Sequence, residues 1–148
     1  MDYETVSPDA FGASLRGIGL NLLVRDVEAE VRFLRDVLGM EAHRVSRDFA
    51  ILDYHGAIFQ LHGDHTYGEN PLLGLVPETP PRGAGAELRL YETDPDVAAR
   101  RAAASGYHVL QPPTDKPHGL RETIILCENG YAWVASRPLE IAQSASGA

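Results

Sequence analysis

The chain repeats itself. Residues 51–62 read ILDYHGAIFQLH and residues 125–136 read ILCENGYAWVAS. Aligned, Ile-Leu meets Ile-Leu, Gly56 meets Gly130, and Phe59-Gln60-Leu61 meets Trp133-Val134-Ala135. Each copy is an apolar run, a tight turn and a second apolar run. A module present twice restricts the fold to a pseudo-twofold arrangement with a cleft between matching halves.

The flanking sequence repeats the same order of elements. Gly17–Val24 alternates as a strand, with Ile18, Leu20, Leu22 and Val24 on one side and Gly19, Asn21 and Leu23 on the other. Asp26 is an N-cap, because its carboxylate can accept the free N–H groups of a first helical turn. The helix runs to about Leu38, with Val27, Val31, Leu34 and Leu38 as its buried stripe and Gly39 at its end. Strands follow over about 41–46, 49–54 and 57–62. His55-Gly56 as a two-residue turn pairs Asp53 with Ile58, Ile51 with Gln60 and Phe49 with His62. Leu52, Phe59 and Leu61 then share the helix side; Ile51, Asp53, Ile58, Gln60 and His62 face away.

Residues 63–84 are a Gly- and Pro-rich linker. The second module opens at 85–91, and Asp94-Pro95 starts a helix that ends near Ser105-Gly106. His108–Leu110 is a short strand and 112–120 a loop. Asn129-Gly130 as a two-residue turn pairs Cys127 with Ala132, Leu126 with Trp133, Ile125 with Val134 and Thr123 with Ser136. That sends Trp133 to the helix side, with Arg121, Thr123, Ile125, Val134 and Ser136 facing away from it. The expected fold is α+β: two βαβββ modules forming curved mixed sheets around a shared cleft. It spans residues 15–138, with modules at about 15–62 and 85–138, and with 1–14 and 139–148 as tails.

Composition narrows the function. Hydrophobic residues make up 44%, enough for a core. The charge of −8, from 21 acids against 13 bases, argues against a nucleic-acid partner, which needs a basic stripe. No apolar run reaches the roughly 20 residues of a membrane span. The acidic start, MDYETVSPDAFGAS, lacks a signal peptide's basic end and apolar core. A cytoplasmic protein without a membrane partner is the expectation. Cys127 stands alone, so no intrachain disulfide forms, and it reads as a small buried apolar residue.

The polar groups predicted to face the cleft are the candidate site. Glu87 and Arg89 alternate on one strand face, and charges in a sheet cavity need a partner or a ligand. They either recognise a polar ligand or pair with each other. Asn21 and Gln60 either hydrogen-bond a ligand or satisfy each other. His62 and His65 flank a strand end. The segment DKPHGLRE (115–122) reads as a semi-rigid lip, from which Arg121 would reach inward to grip a carboxylate or phosphate with two parallel bonds. The candidate ligand contacts are therefore Asn21, Gln60, Glu87, Arg89, Arg121 and Thr123.

Three segments carry a resemblance: GIGLNLLVRDVEAEVRFLRDVLGM, AELRLYETDPDVAARRAAASGYHVLQPP and GLRETIILCENGYAWVAS. Over about residues 15–138 the chain resembles the glyoxalase / bleomycin-resistance / extradiol dioxygenase (vicinal oxygen chelate) superfamily. The resemblance implies two curved sheets around a ligand cavity. In metal-using members His and Glu ligands come from the first and last strands of each module. Counting back seven from Asp26 and Asp94 gives Gly19 and Glu87; four past the turn glycines come Gln60 and Val134. Glycine and valine offer no side-chain ligand, and a catalytic ion needs about three protein ligands. The expectation is no metal and no cofactor. The function implied is metal-independent binding of a small, partly polar organic molecule, for resistance or sequestration, in a homodimer. The alternative is a metal-dependent lyase, isomerase or dioxygenase with the shifted ligand set Asn21, His62 and Glu87. A third option is Glu87 as a metal-free general base.

Overall fold

The structure, a computed structural model, describes residues 1–139. The chain divides into two compact units, Met1–Thr79 and Pro80–Ala148. Of the expected tail at 139–148, residues 140–148 lie outside the described residues.

The first unit contains α1 (Pro8–Ser14), β1 (Asn21–Val24), α2 (Val27–Asp36), β2 (Glu41–His43), β3 (Phe49–Tyr54) and β4 (Ala57–Gly63). The sheet order is β1-β4-β3-β2, with β1 parallel to β4 and the other pairs antiparallel. Asp26 caps α2, accepting the Ala29 N–H at 3.0 Å. Gly39, at φ +68°, turns the chain out after it. Val27, Val31, Leu34 and Leu38 are all buried, as are the sheet residues Leu22, Val24, Ala50, Leu52 and Leu61. Each of these Val and Leu side chains stabilises the unit by about 1.5–3 kcal/mol relative to exposure. The first hairpin has the expected register, Asp53↔Ile58, Ile51↔Gln60 and Phe49↔His62. His55 (φ +50°) and Gly56 (φ +90°) both take the left-handed conformation that a two-residue type I′ turn requires.

The first 14 residues, expected as a tail, hold α1. Ser7 Oγ accepts the Ala10 N–H at 3.2 Å and Pro8 opens the first turn. Phe11 is buried against Phe49, with ring centroids 6.4 Å apart. Arg44 donates from Nε to the Tyr3 carbonyl oxygen at 3.2 Å and from Nη2 to that of Val6. One aromatic anchor and one guanidinium thus tie down a segment whose composition reads as solvent-facing.

The second unit contains β5 (Leu88–Leu90), α3 (Pro95–Ala104), β6 (His108–Asp115), β7 (Leu120–Leu126) and β8 (Ala132–Pro138), in sheet order β5-β8-β7-β6. Both units are four-stranded mixed sheets with the βαβββ order, the α+β fold expected. Asp94 caps α3 through the Asp96 and Val97 N–H groups, and Ala98 and Ala102 are buried.

Here the register departs from expectation. The pairs are Leu126↔Ala132, Ile125↔Trp133, Ile124↔Val134, Thr123↔Ala135 and Glu122↔Ser136. The Gly130 N–H donates to the Cys127 carbonyl at 2.9 Å, and the Cys127 N–H to the Tyr131 carbonyl at 3.3 Å. Among the described residues Arg44 and His55 are the non-glycine residues at positive φ, so Asn129 is not; Gly130 is, at +85°. Glu128-Asn129-Gly130 is therefore a three-residue loop closed by a left-handed glycine. One extra loop residue turns a whole strand over. Arg121, Thr123 and Ile125 join Trp133 on the helix side, while Glu122, Ile124, Val134 and Ser136 take the other face.

The expected loop at 112–120 is mostly strand. β6 continues to Asp115, with register shifts around Gln111 where Pro112-Pro113 interrupts the ladder. β6 is an edge strand, where proline is tolerated. The expected lip is a tight hairpin turn, with the Lys116 N–H donating to the Leu120 carbonyl at 2.8 Å.

Candidate functional site

In the first unit, the sheet face opposite α2 carries Phe49, Ile51 and Gln60. α1 and Arg44 border the same face. Together with Val6 and Pro8 they enclose a hollow of about 310 Å³, lined by Phe11, Phe49 and Ile51, with Gln60 and Arg44 supplying the polar atoms. Gln60 Oε1 lies 3.0 Å from His62 Nε2. The His62 ring lies 5.2 Å from that of Phe49 and 5.3 Å from that of Tyr67, centroid to centroid. Burial pushes His62 below the ordinary histidine value. Asn21 stands opposite Gln60 in the β1–β4 register and is exposed. These two expected contacts are brought together. His65 is instead an exposed partner of Asp48, 2.6 Å away.

In the second unit, Arg89 reaches Glu122 through Nη2 and Glu87 Oε1 through Nη1 at 3.3 Å. His118 Nε2 lies 3.5 Å from Glu122. The Arg89 guanidinium also sits over the Tyr91 ring, 5.6 Å from its centroid. Glu122 is only 5% exposed, and this burial opposes its ionisation. The hydrogen bond and charge of Arg89, with those of His118, outweigh the burial and hold the carboxyl below its ordinary value. Glu87 and Arg89 are thus joined, and Glu122, which parity from the misplaced turn had hidden, is the buried centre of the group.

Arg121 and Thr123 do not point away from the helix as expected. Arg121 forks onto Asp96 of α3, with Nε–Oδ2 and Nη2–Oδ1 both at 2.9 Å, and meets Asp115 through Nη1 at 2.8 Å. These hydrogen bonds raise the Arg121 value and lower that of Asp96. Thr123 is fully buried and donates to the Gln111 carbonyl at 2.6 Å. Both follow from the one-residue change of register.

The positions at which the resemblance expects metal ligands do not form a donor set. Gly19 precedes β1, Gln60 Oε1 is engaged by His62, Glu87 is paired with Arg89, and Val134 is an apolar residue at 0% exposure. Of the shifted set, Asn21 and His62 belong to the first unit and Glu87 to the second. A different group was missed. Glu41, His43 and Asp53 offer ligand atoms that all lie within 4.8 Å of one another. The signal was present, since Glu-x-His on β2 shares a face with Asp53 once the β2–β3 register is known.

The family model of the Glyoxalase/Bleomycin resistance protein/Dioxygenase superfamily matches residues 18–135. The chain belongs to this superfamily. A glyoxalase/bleomycin resistance protein/dioxygenase from Nocardioides is 26% identical, with 87% of each chain covered and a TM-score of 0.63. A family enzyme from Burkholderia phytofirmans PsJN is 21% identical over 81% of this chain and 96% of that one, with a TM-score of 0.67. The fosfomycin resistance protein FosX from Mesorhizobium loti shares the fold at 14% identity over 90% of this chain and 99% of that one, with a TM-score of 0.58. No curated protein matches the sequence. Among the described residues no helix is long and apolar enough to cross a membrane.

Proposed function

We propose that this superfamily member binds a small, partly polar organic molecule without a metal at the family positions, and serves resistance or sequestration. The observation that carries this is the hollow of the first unit. It has aromatic and aliphatic walls from Phe11, Phe49 and Ile51, with polar atoms from Gln60 and Arg44. Apolar walls with a few fixed polar groups are the usual make-up of a small-molecule site. Sequestration needs affinity alone, and the resistance protein FosX has the same fold. Asn21 borders the same face; Glu87 and Arg89 are candidate contacts on the second unit. A homodimer, as the superfamily's resistance branch implies, belongs to the same proposal.

The test is a fluorescence titration with 8-anilinonaphthalene-1-sulfonate, an aromatic probe with one anionic group. Wild type gives one saturable site with no added metal. Phe49→Ala and Gln60→Ala each weaken it about fivefold to tenfold, roughly 1–1.4 kcal/mol, while circular dichroism is unchanged. Probe binding that ignores both substitutions in folded protein refutes this site.

A further inference from the structure

Glu41, His43 and Asp53 have no part in the hollow described above. β2 carries Glu41 and His43 two residues apart, so both leave the same face of the strand. The antiparallel register sets Asp53 directly opposite Glu41. Like charges directly opposed on a sheet repel. In the second unit, Glu122 meets the Arg89 guanidinium, and Asp96 and Asp115 meet that of Arg121. Among the described residues, Glu41 and Asp53 have no Lys or Arg in ion-pair contact. What lies beside them is an imidazole.

The surroundings fix that imidazole and leave room next to the carboxylates. The Tyr3 ring packs 5.6 Å from the His43 ring, and His43 Nδ1 lies 3.6 Å from Glu4 Oε1. Asp53 Oδ1 accepts the Gly56 N–H at 2.8 Å, which holds the carboxylate in place. A hollow of about 220 Å³, lined by Gly39, Glu41, Asp53, Tyr54, His55 and Gly56, opens alongside.

We propose that Glu41, His43 and Asp53 form a divalent-cation site on the β2–β3 ribbon, separate from Gly19, Gln60, Glu87 and Val134. One imidazole with two carboxylates suits first-row ions such as zinc or manganese; calcium and magnesium favour all-oxygen shells. The three side chains stand on paired strands, so little ordering opposes binding. The neighbouring hollow has room for the water or ligand oxygen that completes the shell. The cation neutralises the Glu41–Asp53 repulsion.

Calorimetric titration of the chelator-treated full chain with zinc chloride, and separately with manganese chloride, tests this. The expected result is one ion per chain for at least one of the two. Binding is weakened about tenfold or more by His43→Ala and by Glu41→Gln, and unchanged by His65→Ala, which removes the other His–carboxylate pair. Glu41→Gln makes no new cavity, so it remains informative if His43→Ala disturbs folding. No saturable uptake overturns the site, as does uptake reduced less than tenfold by both His43→Ala and Glu41→Gln, or reduced equally by His65→Ala. The dye titration above contains no metal, so the two readings fail separately.

Discussion

The two units share an element order and a sheet order, yet they close their last hairpins differently. In the first, His55-Gly56 forms a two-residue turn with both residues at positive φ. In the second, Glu128-Asn129-Gly130 forms a three-residue loop with positive φ at the glycine. Asn-Gly is the stronger two-residue signal of the two sequences, but the tighter turn is built from His-Gly. The open sheet faces differ as well. The first carries an aromatic hollow under α1; the second carries the charged group Arg89, Glu87, Glu122 and His118. Repetition of a module therefore transmits topology while leaving the chemistry of each face free to diverge.

The sharpest test of this comparison is alanine at the two turn glycines. A Cβ on Gly130 would stand 2.5 Å from Pro81 Cα and 2.9 Å from Pro81 Cβ, at φ +85°. Gly56 has φ +90° but no heavy atom within 4 Å of such a Cβ. Urea unfolding should show Gly130→Ala losing about 3 kcal/mol and Gly56→Ala about 1 kcal/mol. Equal losses would mean that the second turn is not built against Pro81.

A smaller effect separates the charged face from the aromatic one. Arg89→Met leaves Glu122 buried without its guanidinium. Because Arg89 is partly exposed, the loss at pH 7 should be about 2 kcal/mol, below the range for a fully buried pair. The pH dependence should reverse. In wild type the Glu122 carboxyl is held below its ordinary 4.5, so its contribution is present above that value and fades as pH falls through the folded one. In the variant, burial is the dominant influence and raises the carboxyl, so acidification should recover stability relative to pH 7. A variant that declines in acid as wild type does would show that His118 alone satisfies Glu122.

The least effect belongs to the Arg121 fork on α3. Its hydrogen bonds lower the Asp96 carboxyl from 3.8. The resulting stability is present above that value and lost as pH falls below it. Asp96→Asn should lower the melting temperature by about 1–2 °C at pH 7, as for exposed ion pairs. Between pH 4 and 2 its decline should be shallower than that of wild type. An unchanged decline would remove Asp96 from the acid response.

Much of this was readable from residues alone. The caps Asp26 and Asp94, the apolar stripe Val27–Val31–Leu34–Leu38 and the turn at His55-Gly56 are decided by contacts within a few residues of chain. The βαβββ order and the facing of Gln60, Asp53 and His62 follow from them. What local sequence left open was how many residues the second turn holds, because Glu-Asn-Gly satisfies a two-residue or a three-residue loop. That single count decided whether Arg121 or Glu122 entered the open face. The docking of α1 depends on Phe11 meeting Phe49 and on Arg44 reaching back to Tyr3 and Val6, contacts about 40 residues apart in sequence. The Glu41–His43–Asp53 group likewise exists only through strand pairing. Periodicity and capping act over one turn of chain and are written in the sequence, whereas register and docking compare distant segments and are settled only when the whole fold chooses among them.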